Sequence, residues 1–245
     1  MTQFNSIYFL HIPKTAGRFI REEVLYPLVP NISRSRILFL GHTLDSNPVH
    51  TGWSDEILPN TYVLSSFRHP VEQAVSYFCQ RTLDWAKHVN APDEEVDGLL
   101  TKEKMLSQMK KVPYFYENHQ SKFFIYNTPW MNGVKRDYSL DPKNYQDLIY
   151  SRIDRLNLFL KVTDNPSYSI PIATRICNDL GVAFPDCEFP VNVGVLPIFS
   201  NEASKRIYSE LTPGENDAIL EMSSVDSDIY FNDSLFTQLG KSNGN

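Results

Sequence analysis

The chain of 245 residues carries 29 acidic side chains against 23 lysines and arginines, a net charge of −6. That balance argues against a general nucleic-acid binder, which needs a basic surface, yet it leaves room for an anionic ligand held by a few local cations. A hydrophobic share of 42% supports a core of ordinary size, so the expectation is one large α/β domain over residues 1–240 with a flexible tail at 241–245.

The three cysteines, Cys79, Cys177 and Cys187, are odd in number and widely spaced, without metal-ligand spacing. They read as reduced structural thiols, and no metal site is expected. The first residues lack a basic segment, and no stretch reaches the ~20 apolar residues of a membrane helix. The chain therefore reads as soluble and cytoplasmic, with no membrane span.

Residues 7–10 (Ile-Tyr-Phe-Leu) are a short continuous apolar run, the pattern of a buried parallel strand. The polar turn His11-Ile12-Pro13-Lys14-Thr15-Ala16-Gly17 follows. Residues 17–25 then put Phe19, Ile20, Val24 and Leu25 on one helical face, with Pro27 and Pro30 predicted to end the helix. A second strand is expected at 36–40, closed by Gly41-His42. Residues 44–60 are rich in Pro, Gly, Ser, Asn and Asp and read as a loop, with a short helix near 54–58. Residues 61–67, β-branched and aromatic, read as a third strand. Arg68-His69-Pro70 turns into a helix over 71–89, whose first turn suits Pro70. The acidic, proline-containing segment 90–98 is predicted to be a loop and is the most linker-like stretch. Helices are expected at 99–110, 114–126 and 145–155, with irregular chain at 127–142 and a fourth strand at 156–162. A helix over 167–180 is stopped by Gly181. An extended loop at 182–199 and helices at 201–211, 215–222 and 226–239 complete the chain.

Strands alternating with helices imply right-handed βαβ units and a mostly parallel central sheet, in a P-loop-like three-layer α/β/α fold with a helix-rich C-terminal part. Ligands of such sheets bind beyond the carboxyl ends of the strands. Residues 11–17, Gly41-His42 and Arg68-His69-Pro70 all fall on that rim. The first turn offers a lysine, a hydroxyl and helix N-terminal N–H groups to a phosphate, and Gly17 has no Cβ to bar a close approach. It is not a Walker A loop, because Lys14 precedes Gly17 and no glycine stands upstream. Taken alone, Lys14 reads equally well as an ordinary surface lysine. Arg68 and Ser76, two helical turns apart, converge on a second phosphate. Otherwise Arg68 pairs with a nearby acid and Ser76 sits quietly on its helix.

The segment His11-Ile12-Pro13-Lys14-Thr15-Ala16-Gly17 resembles the 5′-phosphosulfate loop of carbohydrate-type sulfotransferases, the heparan sulfate 2-O-sulfotransferase-like group among them. A strand ending in Arg68-His69-Pro70, followed by Ser76-Tyr77, is similar to their 3′-phosphate motif. Looser likenesses run through residues 118–122, 158–163 with Leu180-Gly181, Asn192, and Asp228-Ile229-Tyr230. The resemblance implies a 3′-phosphoadenosine 5′-phosphosulfate (PAPS) donor, no metal, and in-line sulfuryl transfer to a hydroxyl of a glycan or other polar acceptor. It implies that Lys14 stabilises the departing nucleotide and that Pro13, Lys14, Thr15, Ala16, Gly17 and Arg18 hold the 5′-phosphate. Arg68 and Ser76 would hold the 3′-phosphate, and His42 would serve as the base, with His69 next in line. Arg18 and Phe19 stand where the family commonly has small hydroxyl residues, and Gln73 where its 3′-phosphate motif often has another basic side chain. A P-loop-like kinase or nucleotide hydrolase, and a non-catalytic nucleotide- or glycan-binding module, are the alternatives. The acceptor loops are expected to be variable, and Trp53, Trp85 and Trp130 read either as sugar-stacking residues or as core and lid residues.

Overall fold

The computed structural model describes residues 4–40, 52, 53, 57, 59–125, 140–162, 169–186, 202–237 and 239. Four strands are found among them: β1 (Ser6–Leu10), β2 (Leu38–Leu40), β3 (Thr61–Arg68) and β4 (Leu158–Val162). They form one sheet in the order β2-β1-β3-β4, and every pairing is parallel. Successive side chains of a strand point to opposite faces, and here both faces are apolar. That is why β1 and β3 are buried along their whole length.

On one face, Ile7, Phe9, Leu64 and Leu160 pack against Ile20, Val24, Leu28 and Ile176. Those residues come from a helical run after β1 and from α8 (Ser169–Leu180). On the other face, Tyr8, Leu10, Val63, Phe67 and Phe159 meet Phe123, Phe124, Ile149 and Ile229. The covering elements there are α6 (Lys122–Ile125), α7 (Gln146–Ile153) and α11 (Ser224–Phe231). Each large side chain removed from water in this way contributes about 1.5–3 kcal/mol. A third apolar cluster joins α3 (Pro70–Val89) to α5 (Lys102–Lys111), α9 (Glu202–Glu210) and α10 (Pro213–Met222).

Three local expectations are overturned. Pro27 and Pro30 do not end the first helix. The chain runs as α1 (Gly17–Phe19), a π turn (Ile20–Leu25) and α2 (Tyr26–Arg34), with Pro27 in the first turn of α2 and Pro30 inside it. In the wide turn the Tyr26 N–H reaches the carbonyl of Arg21, five residues back. That spacing gives the Pro27 ring room where a regular helix would drive it into a carbonyl four residues earlier. The linker-like stretch is also not a loop throughout, because α4 (Asp93–Leu99) begins three residues into it and runs past its end. Three acids, Asp93, Glu94 and Glu95, occupy its first turn, where the helix dipole favours negative charge. The aromatic helix expected at 114–126 is instead a 3₁₀ turn (Pro113–Phe115), a series of turns, and the short α6. Its last stretch is broken by Asn118, which is left-handed at φ 45°.

The strand order positions the site. From β1 the chain steps to β2 on one side, then returns to β3 on the other. Between the carboxyl ends of β1 and β3 the sheet order reverses, and such a point opens a crevice outside the strands.

Candidate functional site

The turn after β1 occupies that crevice. Lys14 and Ala16 are both left-handed, at φ 65° and φ 63°. Alternating handedness of this kind curls a backbone into a concave nest of N–H groups. Ala16 is the N-cap residue of α1, and the first N–H groups of a helix have no acceptor within it. Three hydrogen bonds fix the turn and the strand end that leads into it. The Thr15 hydroxyl donates to the Ile12 carbonyl at 2.9 Å, and the Ser66 hydroxyl donates to the Thr15 carbonyl. Ser65, next to Ser66 on β3, donates to the Leu10 carbonyl at 2.9 Å. Thr15 is fully buried, so its side chain is committed inward, to the Ile12 carbonyl.

Gly17 is required by a neighbour. A Cβ built on it would lie 1.8 Å from Nε2 of His11. His11 is itself buried and stacked on Phe9, ring centres 5.2 Å apart. The close approach at Gly17 is therefore made by an imidazole that supports the turn from beneath.

Arg68, the last residue of β3, is buried. Its Nη1 donates to the Lys14 carbonyl at 3.4 Å and its Nε to Glu72 at 3.1 Å. The bland expectation that Arg68 pairs with a nearby acid is thus met, while the same guanidinium also touches the turn. α3 supplies a polar rail along the turn. Gln73 donates to the Pro13 carbonyl at 3.4 Å, and Gln80 accepts from Lys14 Nζ at 3.3 Å. Ser76 lies between these two on the helix, at three- and four-residue spacing on the same face, and is buried. Burial, and next the Arg68 guanidinium, push the Lys14 ammonium below the ordinary lysine range, with Asp84 and Cys79 acting the other way.

Behind the rim lies a second polar cluster. The Gln120 side-chain amide makes two bonds with the backbone of Arg68, accepting from its N–H at 2.9 Å and donating to its carbonyl at 2.8 Å. Asp226, on α11, accepts from the N–H groups of Gln120 and Ser121 at 2.9 and 2.8 Å and from the Ser121 hydroxyl. Asn118 in turn accepts from the N–H groups of Val225 and Asp226. Gln80 and Ser66 were missed by the sequence reading, and Gln120 entered it only as part of the loose likeness at 118–122. The available signals were the serine pair inside an apolar strand and the glutamines at seven-residue spacing on α3.

Pro13, Lys14, Thr15, Ala16, Gly17, Arg68 and Ser76 thus come together at one rim. For Arg18 only the backbone is described, and His42 lies outside the described residues, as do Asn192 and Trp130. His69 sits edge-on to Tyr230 and Phe231, at 5.1 and 5.7 Å between ring centres. Its Nδ1 is buried without a hydrogen-bond partner among the described residues. Burial, then Arg68 and Lys161, hold its imidazole below the ordinary histidine range, so the ring resists the second proton that a base must take. Trp53 is buried, with the guanidinium groups of Arg155 and Arg152 5.0 and 5.4 Å from its ring centre, and is a core residue rather than a sugar platform. Trp85 is 44% exposed on α3. Among the described residues no cluster of histidine, cysteine and acidic side chains could hold a metal ion, and no helix is long and apolar enough to cross a membrane.

No protein-family model, curated protein or solved structure matches the chain.

Proposed function

We propose that this chain transfers the sulfuryl group of PAPS to a hydroxyl of a glycan or small polar metabolite. The observation that carries the reading is the convergence of Lys14 and Arg68 on one crevice at the carboxyl ends of β1 and β3. Two cations near each other and partly desolvated favour an anion between them. The nest-like backbone and the helix N-terminus add partial positive charge on the same side. A parallel sheet with helices on both faces supports a P-loop-like three-layer fold, and the free thiols Cys79 and Cys177 are in keeping with a cytoplasmic enzyme.

When bound, the nucleotide supplies the sulfuryl group. Backbone N–H groups of Thr15, Ala16, Gly17 and Arg18 hold its 5′-phosphate, and Pro13 fixes the entry of the turn. Arg68 and Ser76 hold its 3′-phosphate. Lys14 stabilises charge on the departing oxygen, an electrostatic role that needs no metal. His42 takes the proton of the acceptor. One observation favours a second reading, a module that binds a nucleotide without turnover: Glu72 already neutralises Arg68.

Calorimetry with adenosine 3′,5′-bisphosphate in the absence of magnesium tests the reading, and binding is expected. Lys14→Ala should then lower sulfuryl transfer from labelled PAPS by about a hundredfold or more while the fold is kept. Absence of binding to the wild type overturns the proposal. Binding without transfer to any of a panel of hydroxyl acceptors favours the non-catalytic module.

A further inference from the structure

The hydrogen-bond partner of Lys14 at the rim is an amide, and that amide has a defined orientation. Lys14 Nζ donates to Oε1 of Gln80 at 3.3 Å. The nitrogen of the same side chain donates to Oδ1 of Asp84 at 2.6 Å, one helical turn further along α3. An ammonium only donates and a carboxylate only accepts. The amide oxygen must therefore face Lys14 and its nitrogen must face Asp84. Exchanging the two ends would set N–H against N–H on one side and oxygen against oxygen on the other.

We propose that Gln80 and Asp84 are positioning residues for Lys14. Asp84 orients the Gln80 amide, and the amide oxygen holds the ammonium against α3 until an anion draws it into the crevice. As a statement about catalysis this rests on Lys14 being the cation of a sulfuryl-transfer site. As a statement about the lysine it stands on the two hydrogen bonds alone. The charged and titratable groups acting on the amine are Arg68, which opposes its charge, and Asp84 and Cys79, which favour it. Asp84 is exposed and Gln80 is half-buried, so neither replacement opens the core. Asp84→Lys puts a donor where the acceptor stood. The amide then turns, and its N–H₂ group faces the Lys14 ammonium.

The test is competitive acetylation of lysines with acetic anhydride across a pH series, read by mass spectrometry on the peptide that holds Lys14. Asp84→Lys is expected to lower the labelling midpoint of Lys14 by about one pH unit in the wild-type background. In a Gln80→Ala background, where only the charge acting through space remains, the shift should be less than about half of that. Asp84→Ala gives the same pattern with smaller shifts and serves where the charge reversal lowers expression. Equal shifts in the two backgrounds overturn the proposal. Repeating the series with adenosine 3′,5′-bisphosphate separates the two ideas. Failure of the nucleotide to protect Lys14 counts against the sulfotransferase reading alone, while the double-mutant comparison still decides the positioning role.

Discussion

Two polar networks meet at Arg68, and they are built on opposite terms. The one behind it is closed. Asp226 is 1% exposed, as befits a carboxylate enclosed by two backbone N–H groups and a hydroxyl, and Gln120 is fully buried. The one in front is open, with Lys14 and Gln80 half-buried and Asp84 exposed. A closed network loses heavily when one member is removed, because the others are stranded without water. An open one can exchange partners, which is what a ligand site requires. The contrast separates what fixes the position of Arg68 from what its neighbours are available to bind.

Removing Asp226 should have the largest effect. Asp226→Ala leaves three buried donors without an acceptor, and a loss of about 4 kcal/mol is expected in urea unfolding. The same carboxyl gives the network a pH signature. Burial pushes it up to about 6, against the opposing pull of its hydrogen bonds and Lys122. The native value lies above the ~3.9 of an unfolded aspartate, so the folded chain binds the proton more tightly. Its contribution to stability is fully present below about pH 4 and is lost as the pH rises through about 6. The stability of the wild type relative to Asp226→Asn should therefore grow by about 2–3 kcal/mol between roughly pH 7.5 and pH 4. A constant difference would mean that the carboxylate stays ionised throughout.

Gly17→Ala comes next and touches the footing that the open rim shares with the core. The added methyl overlaps His11, and displacing that buried ring should cost about 2 kcal/mol. Nucleotide affinity should fall with it, read by calorimetry on the folded fraction. Stability unchanged from wild type would show that His11 has another place to go. Glu72→Gln is the mildest change and sharpens the contrast most. It keeps an acceptor for Arg68 Nε but removes the competing charge, so adenosine 3′,5′-bisphosphate should bind about tenfold more tightly. Weaker binding would mean that Glu72 orients the guanidinium for its ligand.

Much of the frame was legible because it follows from local pattern. The apolar runs at 7–10 and 61–67 lie within β1 and β3, and Pro70 opens α3 as expected. Gly181, at φ 65°, follows α8 as a left-handed cap. What escaped depended on partners distant in sequence. Gln120 acts 52 residues from Arg68, and Asp226 acts 106 residues from Gln120. No spacing rule links such positions. Lys14 and Arg68 could be assigned to one rim from strand ends, but the glutamines on α3 gain meaning only once that helix lies beside the turn. The prolines misled for a different reason: their cost was judged in a regular helix, and the chain changed the helix instead.

That wide turn at Ile20–Leu25 has a consequence for how this segment tolerates insertions and deletions. Each residue of an α-helix advances its direction by about 100°, whereas a π turn takes up an additional residue locally. Leu28 and Ile32 face the sheet with the surplus in place. A one-residue deletion within 20–25 would tighten the turn to regular geometry and swing those two side chains toward solvent. It would also press Pro27 onto a carbonyl. The segment is thus locked in length even though several of its positions are partly exposed, and length variants there should be rarer than substitutions.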